Sequence, residues 1–126
     1  MVLQKHVHLN SFDDFLAETK PLSEYICMYV YDKQQSSQLL QVITASLEIE
    51  GEMSPVLLLL EKSKNIGFLT HVKLPSHLPA LLCWSYGTFV ASTDNPLYVK
   101  NVLTRTKYWI QEMRKARSMY EEESKQ

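Results

Sequence analysis

Glycine is sparse in this chain, three residues in 126, so neither glycine-rich nucleotide-binding fingerprint can be built from it. Cysteine is sparser still: Cys27 and Cys83 alone, which excludes a disulfide-dense scaffold. The apolar run Val56-Leu57-Leu58-Leu59-Leu60 falls far short of the ~20 residues that span a bilayer, so no membrane insertion is expected. Excess charge is lacking too. A formal charge of −1 argues against a whole-surface electrostatic partner such as duplex DNA. Ser, His and Asp are present, but no nucleophile elbow is. What remains is ordinary for a globular protein, with 45% apolar and 21% charged residues. The size fits one domain with a core of its own, expected over residues 1–118, with residues 119–126 as a frayed acidic tail. No signal-peptide pattern forms around Lys5 and His6. The two cysteines therefore read as buried free thiols of a reducing compartment, and a cytoplasmic or nuclear protein is expected.

Hydrophobic periodicity sets the order of elements. His6-Val7-His8-Leu9 alternates as an edge strand does. Asn10 or Ser11 can cap a helix carrying Asp13 and Asp14 in its first turn, with Phe12, Phe15 and Leu16 at helical spacing and Pro21 as its stop. Tyr25-Ile26-Cys27-Met28-Tyr29-Val30-Tyr31 is apolar throughout and predicts a strand covered on both faces. Ser36 or Ser37 then caps a second helix with the stripe Leu39, Leu40, Ile43 and Leu47, stopped near Gly51. Val56–Leu60 is a second buried strand, Ile66 to Val72 a short third helix, and Ala80–Trp84 a third buried strand. Ser85-Tyr86-Gly87 predicts a tight turn into a last strand, Thr88–Ala91. Asp94 or Asn95 followed by Pro96 starts a long helix running to about Ser118. The order β-α-β-α-β-α-β-β-α implies an α/β fold, a mixed β-sheet flanked by helices.

Over about residues 5–113, this order resembles the thioredoxin-like superfamily. Leu78-Pro79-Ala80-Leu81-Leu82 resembles the segment in which that family places a cis proline before the fourth strand, and Ser85-Tyr86-Gly87-Thr88 the hairpin that follows it. The resemblance implies a cis bond at Pro79, which folding can impose for only ~0.5–1 kcal/mol. It also implies that the backbone of Leu78 faces the functional loop, where an extended peptide could pair. Cys27 and Cys83 would lie in neighbouring strands.

A thioredoxin-type oxidoreductase carries Cys-X-X-Cys where the first buried strand meets its helix, because the helix start stabilises a thiolate. Here that stretch is Tyr31-Asp32-Lys33-Gln34-Gln35-Ser36-Ser37. Without cysteine there, dithiol exchange has no nucleophile. Ser36 or Ser37 could instead bind a glutathione thiol, although capping is the commoner role of a serine at that place. Mid-strand Cys27 and Cys83 sit in apolar surroundings that suppress thiol reactivity, so no redox role is expected of them. His6, His8, His71 and His77 are scattered, and no metal or cofactor is expected. Tyr25, Tyr29, Tyr31, Trp84 and Phe89 read as core rather than as a base-stacking platform.

Charge is uneven. Residues 1–95 carry 6 Lys/Arg against 10 Asp/Glu, whereas residues 96–126 carry 7 against 4 and hold all three arginines. The last helix, from Pro96 to Ser118, is ~34 Å long at 1.5 Å per residue, beyond what the sheet requires. Its distal part interleaves Trp109, Met113, Met119 and Tyr120 with basic residues, types enriched at interface cores. The expected function is a non-catalytic, redox-inactive interaction module or assembly subunit, taking a protein partner or a second copy. Two surfaces are candidates: a groove at Asp32, Lys33, Gln34, Gln35, His77, Leu78 and Pro79, flanked by Ser92 to Asn95, and a helix face at Arg105, Trp109, Met113, Arg114 and Arg117. The alternatives are a glutathione-binding enzyme using a helix-start serine, and a subunit of an RNA-containing assembly using the basic helix.

Overall fold

The structure is a computed structural model that describes residues 4–19, 24–33, 37–49 and 55–124. Its elements run β1 (Gln4–His6), α1 (Phe12–Thr19), β2 (Ile26–Tyr31), α2 (Gln38–Ile49), β3 (Val56–Glu61), α3 (Ile66–Leu69), β4 (Ala80–Ser85), β5 (Thr88–Thr93) and α4 (Val99–Ser124). Single 3-10 turns, Lys62–Lys64 and Pro96–Tyr98, lead into α3 and α4. The mixed five-stranded sheet has the order β1-β3-β2-β4-β5. β3 is parallel to β1 and β2, and β4 is antiparallel to β2 and β5.

Strand alternation explains why the central strands are apolar at every position. Cys27, Tyr29, Tyr31, Leu57, Leu59, Leu81 and Cys83 pack in one layer with α2 and α4, through Leu39, Ile43, Leu47, Val99, Leu103 and Ile110. Ile26, Met28, Val30, Leu58, Leu60, Leu82 and Trp84 pack in the other with Phe15 of α1 and Phe68 and Leu69 of α3. Successive side chains point to opposite faces, so covering both faces requires unbroken apolar runs.

The first strand lies earlier than the alternation of His6-Val7-His8-Leu9 predicts. It covers Gln4–His6, the Val7 amide still donates to the Leu59 carbonyl at 3.2 Å, and the chain then leaves the ladder. Val7 and Leu9 are buried while His6 and His8 are exposed, so the alternation records burial rather than strand pairing. The Leu9 amide donates instead to Asn65 Oδ1 at 2.7 Å, and Asn65 Nδ2 donates to the Glu61 carbonyl at 2.8 Å. Asn65 is 1% exposed. It satisfies backbone groups that would otherwise be buried alone.

Ser11 Oγ accepts from the Asp14 amide and caps α1. Asn95 Oδ1 accepts from the Leu97 amide at 2.9 Å, so Asn95-Pro96 starts the last helical stretch as expected. At the hairpin Tyr86 (φ 51°) and Gly87 (φ 75°) are both left-handed, the backbone of a type I′ turn, whose twist matches its flanking strands. Of the aromatic residues read as core, Tyr25, Tyr29, Tyr31 and Trp84 are buried, whereas Phe89 is 41% exposed because β5 is an edge strand. The C-terminal end also differs from expectation. Residues 119–124, expected to fray, continue α4 to Ser124, because no proline or glycine follows Pro96 to stop the backbone ladder.

Candidate functional site

Register gathers the loops named for the groove at one end of the sheet. Val30 pairs with Ala80, so Asp32-Lys33 leave β2 beside the segment His77-Leu78-Pro79 that enters β4. Leu81 pairs with Thr93, which places the end of β5 there too. The Leu78–Pro79 peptide bond is cis, as the resemblance implies. Asp32, Lys33 and His77 are exposed, and Leu78 packs partly against the α1/α3 core layer. Gln34, Gln35 and Ser36 lie outside the described residues. Two open clefts flank this end. One, of about 390 Å³, is bordered by His6, His8, Tyr31, Glu61 and Asn65; the other, of about 370 Å³, by Lys73, Pro75, Phe89 and Asp94. Among the described residues, no group of three or more His, Cys, Asp or Glu is placed to hold a metal ion.

The start of α2 is held by Ser37. Its Oγ accepts from the Leu40 amide at 3.1 Å, the geometry of an N-cap. The same Oγ hydrogen-bonds the Tyr29 hydroxyl at 2.7 Å. Burial pushes the Tyr29 phenol above its ordinary value of 10.0, against the lowering effect of that hydrogen bond. The Ser37 hydroxyl is therefore already bonded to a backbone donor and to a phenol; Ser36, the other serine named for a glutathione thiol, lies outside the described residues.

Helix α4 brings its two ends to different surroundings. Val99, Leu103, Thr106 and Ile110 face the sheet and are buried. One turn further on, the same face carries Arg114 and then Arg117, and these reach their own chain. Arg114 Nη2 donates to Glu24 Oε2 at 2.7 Å, and its Nε donates to the other carboxylate oxygen, a bidentate pair. The Tyr86 hydroxyl donates to Glu24 Oε1 at 3.3 Å, and the Arg117 guanidinium lies 4.6 Å above the Tyr86 ring. The Arg114 guanidinium hydrogen-bonded to Glu24 holds that carboxyl below its ordinary range. The distal helix is thus clamped over the β4–β5 turn. Sequence reasoning gave Tyr86 only a place in the turn and left out Glu24 and Asn65; Glu24 is 90 residues from Arg114, and no local pattern signals such a partner.

The flank of α4 remains open. Val102, Thr106, Trp109, Met113, Ala116 and Tyr120 recur at spacings of four and three, one stripe along the helix. Val102 and Thr106 are buried in the core, but Trp109 is 43% and Tyr120 72% exposed. Arg105 is exposed beside this stripe.

No family model matches this chain, and no curated protein matches it. Solved structures do match. A thioredoxin from Schistosoma mansoni aligns with a TM-score of 0.62 at 8% identity, covering 82% of this chain and 98% of its own. Thioredoxins from Malassezia sympodialis (TM-score 0.56, 10% identity, 84% and 96% covered) and Fasciola hepatica (0.56, 12%, 84% and 99%) align over similar spans. The fold is thioredoxin-like. At these identities the likeness extends to architecture alone. Within the thioredoxin-like fold, the described groove residues, Asp32, Lys33, His77, Leu78 and Pro79, come together at the Pro79 end of the sheet. The residues named on α4 divide: Arg114 and Arg117 are engaged internally, while Arg105, Trp109 and Met113 border the open stripe. Among the described residues, no helix is long and apolar enough to cross a membrane.

Proposed function

We propose that this chain is a non-catalytic thioredoxin-like interaction module of a reducing compartment, and that its partner is a protein presenting an amphipathic, acid-flanked helix to the open stripe of α4. The observation that carries the non-catalytic reading is the start of α2. There is no sulfur between Tyr31 and Gln38, and Ser37 is committed to the helix cap and to Tyr29. Thiol–disulfide exchange needs an accessible thiolate at the attacking position, and this helix start offers a capping hydroxyl instead.

Two features support the interaction reading. The apolar stripe of α4 leaves the core and continues through Trp109, Met113 and Tyr120, aromatic and methionine side chains of the kind enriched at interface cores. The helix around it is basic, with Lys100, Arg105, Lys107, Arg114, Lys115 and Arg117 against Glu112 between residues 96 and 120, which favours an acidic partner electrostatically. The groove at Asp32, Lys33, Leu78 and Pro79 offers a second, separate surface.

Insulin reduction with dithiothreitol tests the first half: no turnover above background is expected, and measurable turnover refutes it. A photo-crosslinker at Met113 of the full chain, expressed in its native host, tests the second. The expected adduct is to a different polypeptide and is lost on Arg105→Glu. Adducts only to a second copy, or none, overturn the partner assignment. Nucleic-acid binding that weakens steeply with salt and on charge reversal of α4 favours the RNA-assembly reading instead. Thermal stabilisation by millimolar glutathione favours the enzyme reading.

A further inference from the structure

The two cysteines of this chain face each other. β2 and β4 are antiparallel neighbours near the middle of the sheet, and Cys27 is the register partner of Cys83. Both side chains enter the same core layer, under α2 and α4. Their sulfurs are 3.4 Å apart and both residues are fully buried. Partners in an antiparallel pair have Cα atoms ~4.5–5.5 Å apart, inside the ~4.4–6.8 Å range of disulfides. Bond formation therefore needs the sulfurs to close from 3.4 Å to ~2.05 Å. Next to this pair the β4–β5 ladder is irregular. Cys83 opposes Ala91 and Trp84 opposes Phe89, which leaves Val90 as the extra residue of a bulge and locally weakens the pairing on the outer side of Cys83.

From this juxtaposition, and against the inert role expected of them from their apolar strands, we infer that Cys27 and Cys83 are a cross-strand dithiol that hydrogen peroxide oxidises to an intramolecular disulfide joining β2 to β4. The balance is closed. One cysteine, as thiolate, attacks a peroxide oxygen. The O–O bond breaks, the departing hydroxide takes a proton to become water, and a sulfenic acid remains. The second sulfur attacks the sulfenic sulfur, the S–S bond forms as the S–O bond breaks, and a second water leaves. Two thiols are oxidised by two electrons and one peroxide is reduced to two waters.

Burial sets the rate. Because neither sulfur reaches solvent in the closed sheet, oxidation waits on local opening around the bulge, and at high hydroperoxide the rate reaches a plateau equal to the opening rate. The dithiol is also remote from the helix start. Cys27 and Asp32 are five residues apart along an extended strand, ~17 Å at ~3.3 Å per residue, so closure neither supplies nor requires the exchange chemistry missing at α2. The two assignments stand or fall separately.

The test treats the native full-length chain with graded hydrogen peroxide, then unfolds it in the presence of an alkylating agent and measures intact mass. The expected product is two hydrogens lighter and unalkylated, yields a Cys27–Cys83 linked peptide on digestion, and returns to the doubly alkylated form after dithiothreitol. Its rate of appearance levels off with peroxide. Cys27→Ala, Cys27→Ser and Cys83→Ala, each checked for native circular dichroism, all lose this product. Two alkylatable thiols after prolonged peroxide, or only oxygen adducts and intermolecular disulfides, overturn the inference.

Discussion

Removing the Ser37 hydroxyl probes the helix start most directly. Ser37→Ala deletes an N-cap acceptor, a change that costs ~1 kcal/mol within a range of about 0.5–2. It also leaves the part-buried Tyr29 hydroxyl without the partner it holds at 2.7 Å, which costs a further ~1 kcal/mol. The expected total is ~2 kcal/mol, a sizeable share of the ~5–15 kcal/mol that holds a domain together. With a urea dependence of ~1–3 kcal/mol/M, the denaturation midpoint falls by about 1 M at unchanged slope. Tyr29→Phe removes the same hydroxyl contact from the other side and keeps the ring in place, for ~1 kcal/mol. If the two hydroxyls act on each other, the double variant is hardly less stable than Ser37→Ala alone, and the cycle returns a coupling of ~1 kcal/mol. Equilibrium urea unfolding of the four proteins measures this. A Ser37→Ala cost below ~0.5 kcal/mol refutes the capping argument, strictly additive costs refute the bond to Tyr29, and either undoes the claim that the hydroxyl is already committed.

The remaining predictions concern neighbouring features. The Tyr29 phenol titrates above 10.0 in the fold because it is buried, so its contribution is complete below pH 10 and declines as pH rises beyond it; Tyr29→Phe removes that part of the alkaline loss in pH-dependent urea titrations. Asn65→Ala leaves the Leu9 amide and the Glu61 carbonyl without their partner and should cost ~2–4 kcal/mol from two lost bonds, one buried and one partly buried; near-wild-type thermal stability contradicts this. Gly67→Ala improves helix propensity by ~1 kcal/mol, yet a Cβ there would lie 2.2 Å from the Asn10 carbonyl oxygen. Backbone must move, so net destabilisation is expected in a thermal melt, and stabilisation would show that Asn10 yields freely. Glu24 is held below 4.5 mainly by its hydrogen bond to Arg114. Its stabilising contribution is present above pH 4.5 and lost as pH falls through the lowered folded value. Glu24→Gln should flatten that acid limb, and its small effect should vanish in about 1 M salt, where the Debye length is ~3 Å.

Much of this protein was legible in its order of residues. Seven consecutive apolar residues from Tyr25 to Tyr31 cannot lie in a sheet with one wet face, so they announced helices on both sides of β2, and the layers confirm it. Asn95-Pro96 and Tyr86-Gly87 announced a helix start and a turn because capping and left-handed backbone are properties of a few adjacent residues. The absence of cysteine before α2 is equally a matter of sequence. Periodicity misplaced β1, since alternation reports which side chains are buried and not which amides are paired. Only tertiary structure could decide the partners that meet across long stretches of chain: Asn65 with Leu9, Glu24 with Arg114, Arg117 with Tyr86, and Cys27 with Cys83. Each depends on strand register and on where a helix crosses the sheet. Those are settled by the packing of the whole core, to which every segment contributes and which no segment encodes alone.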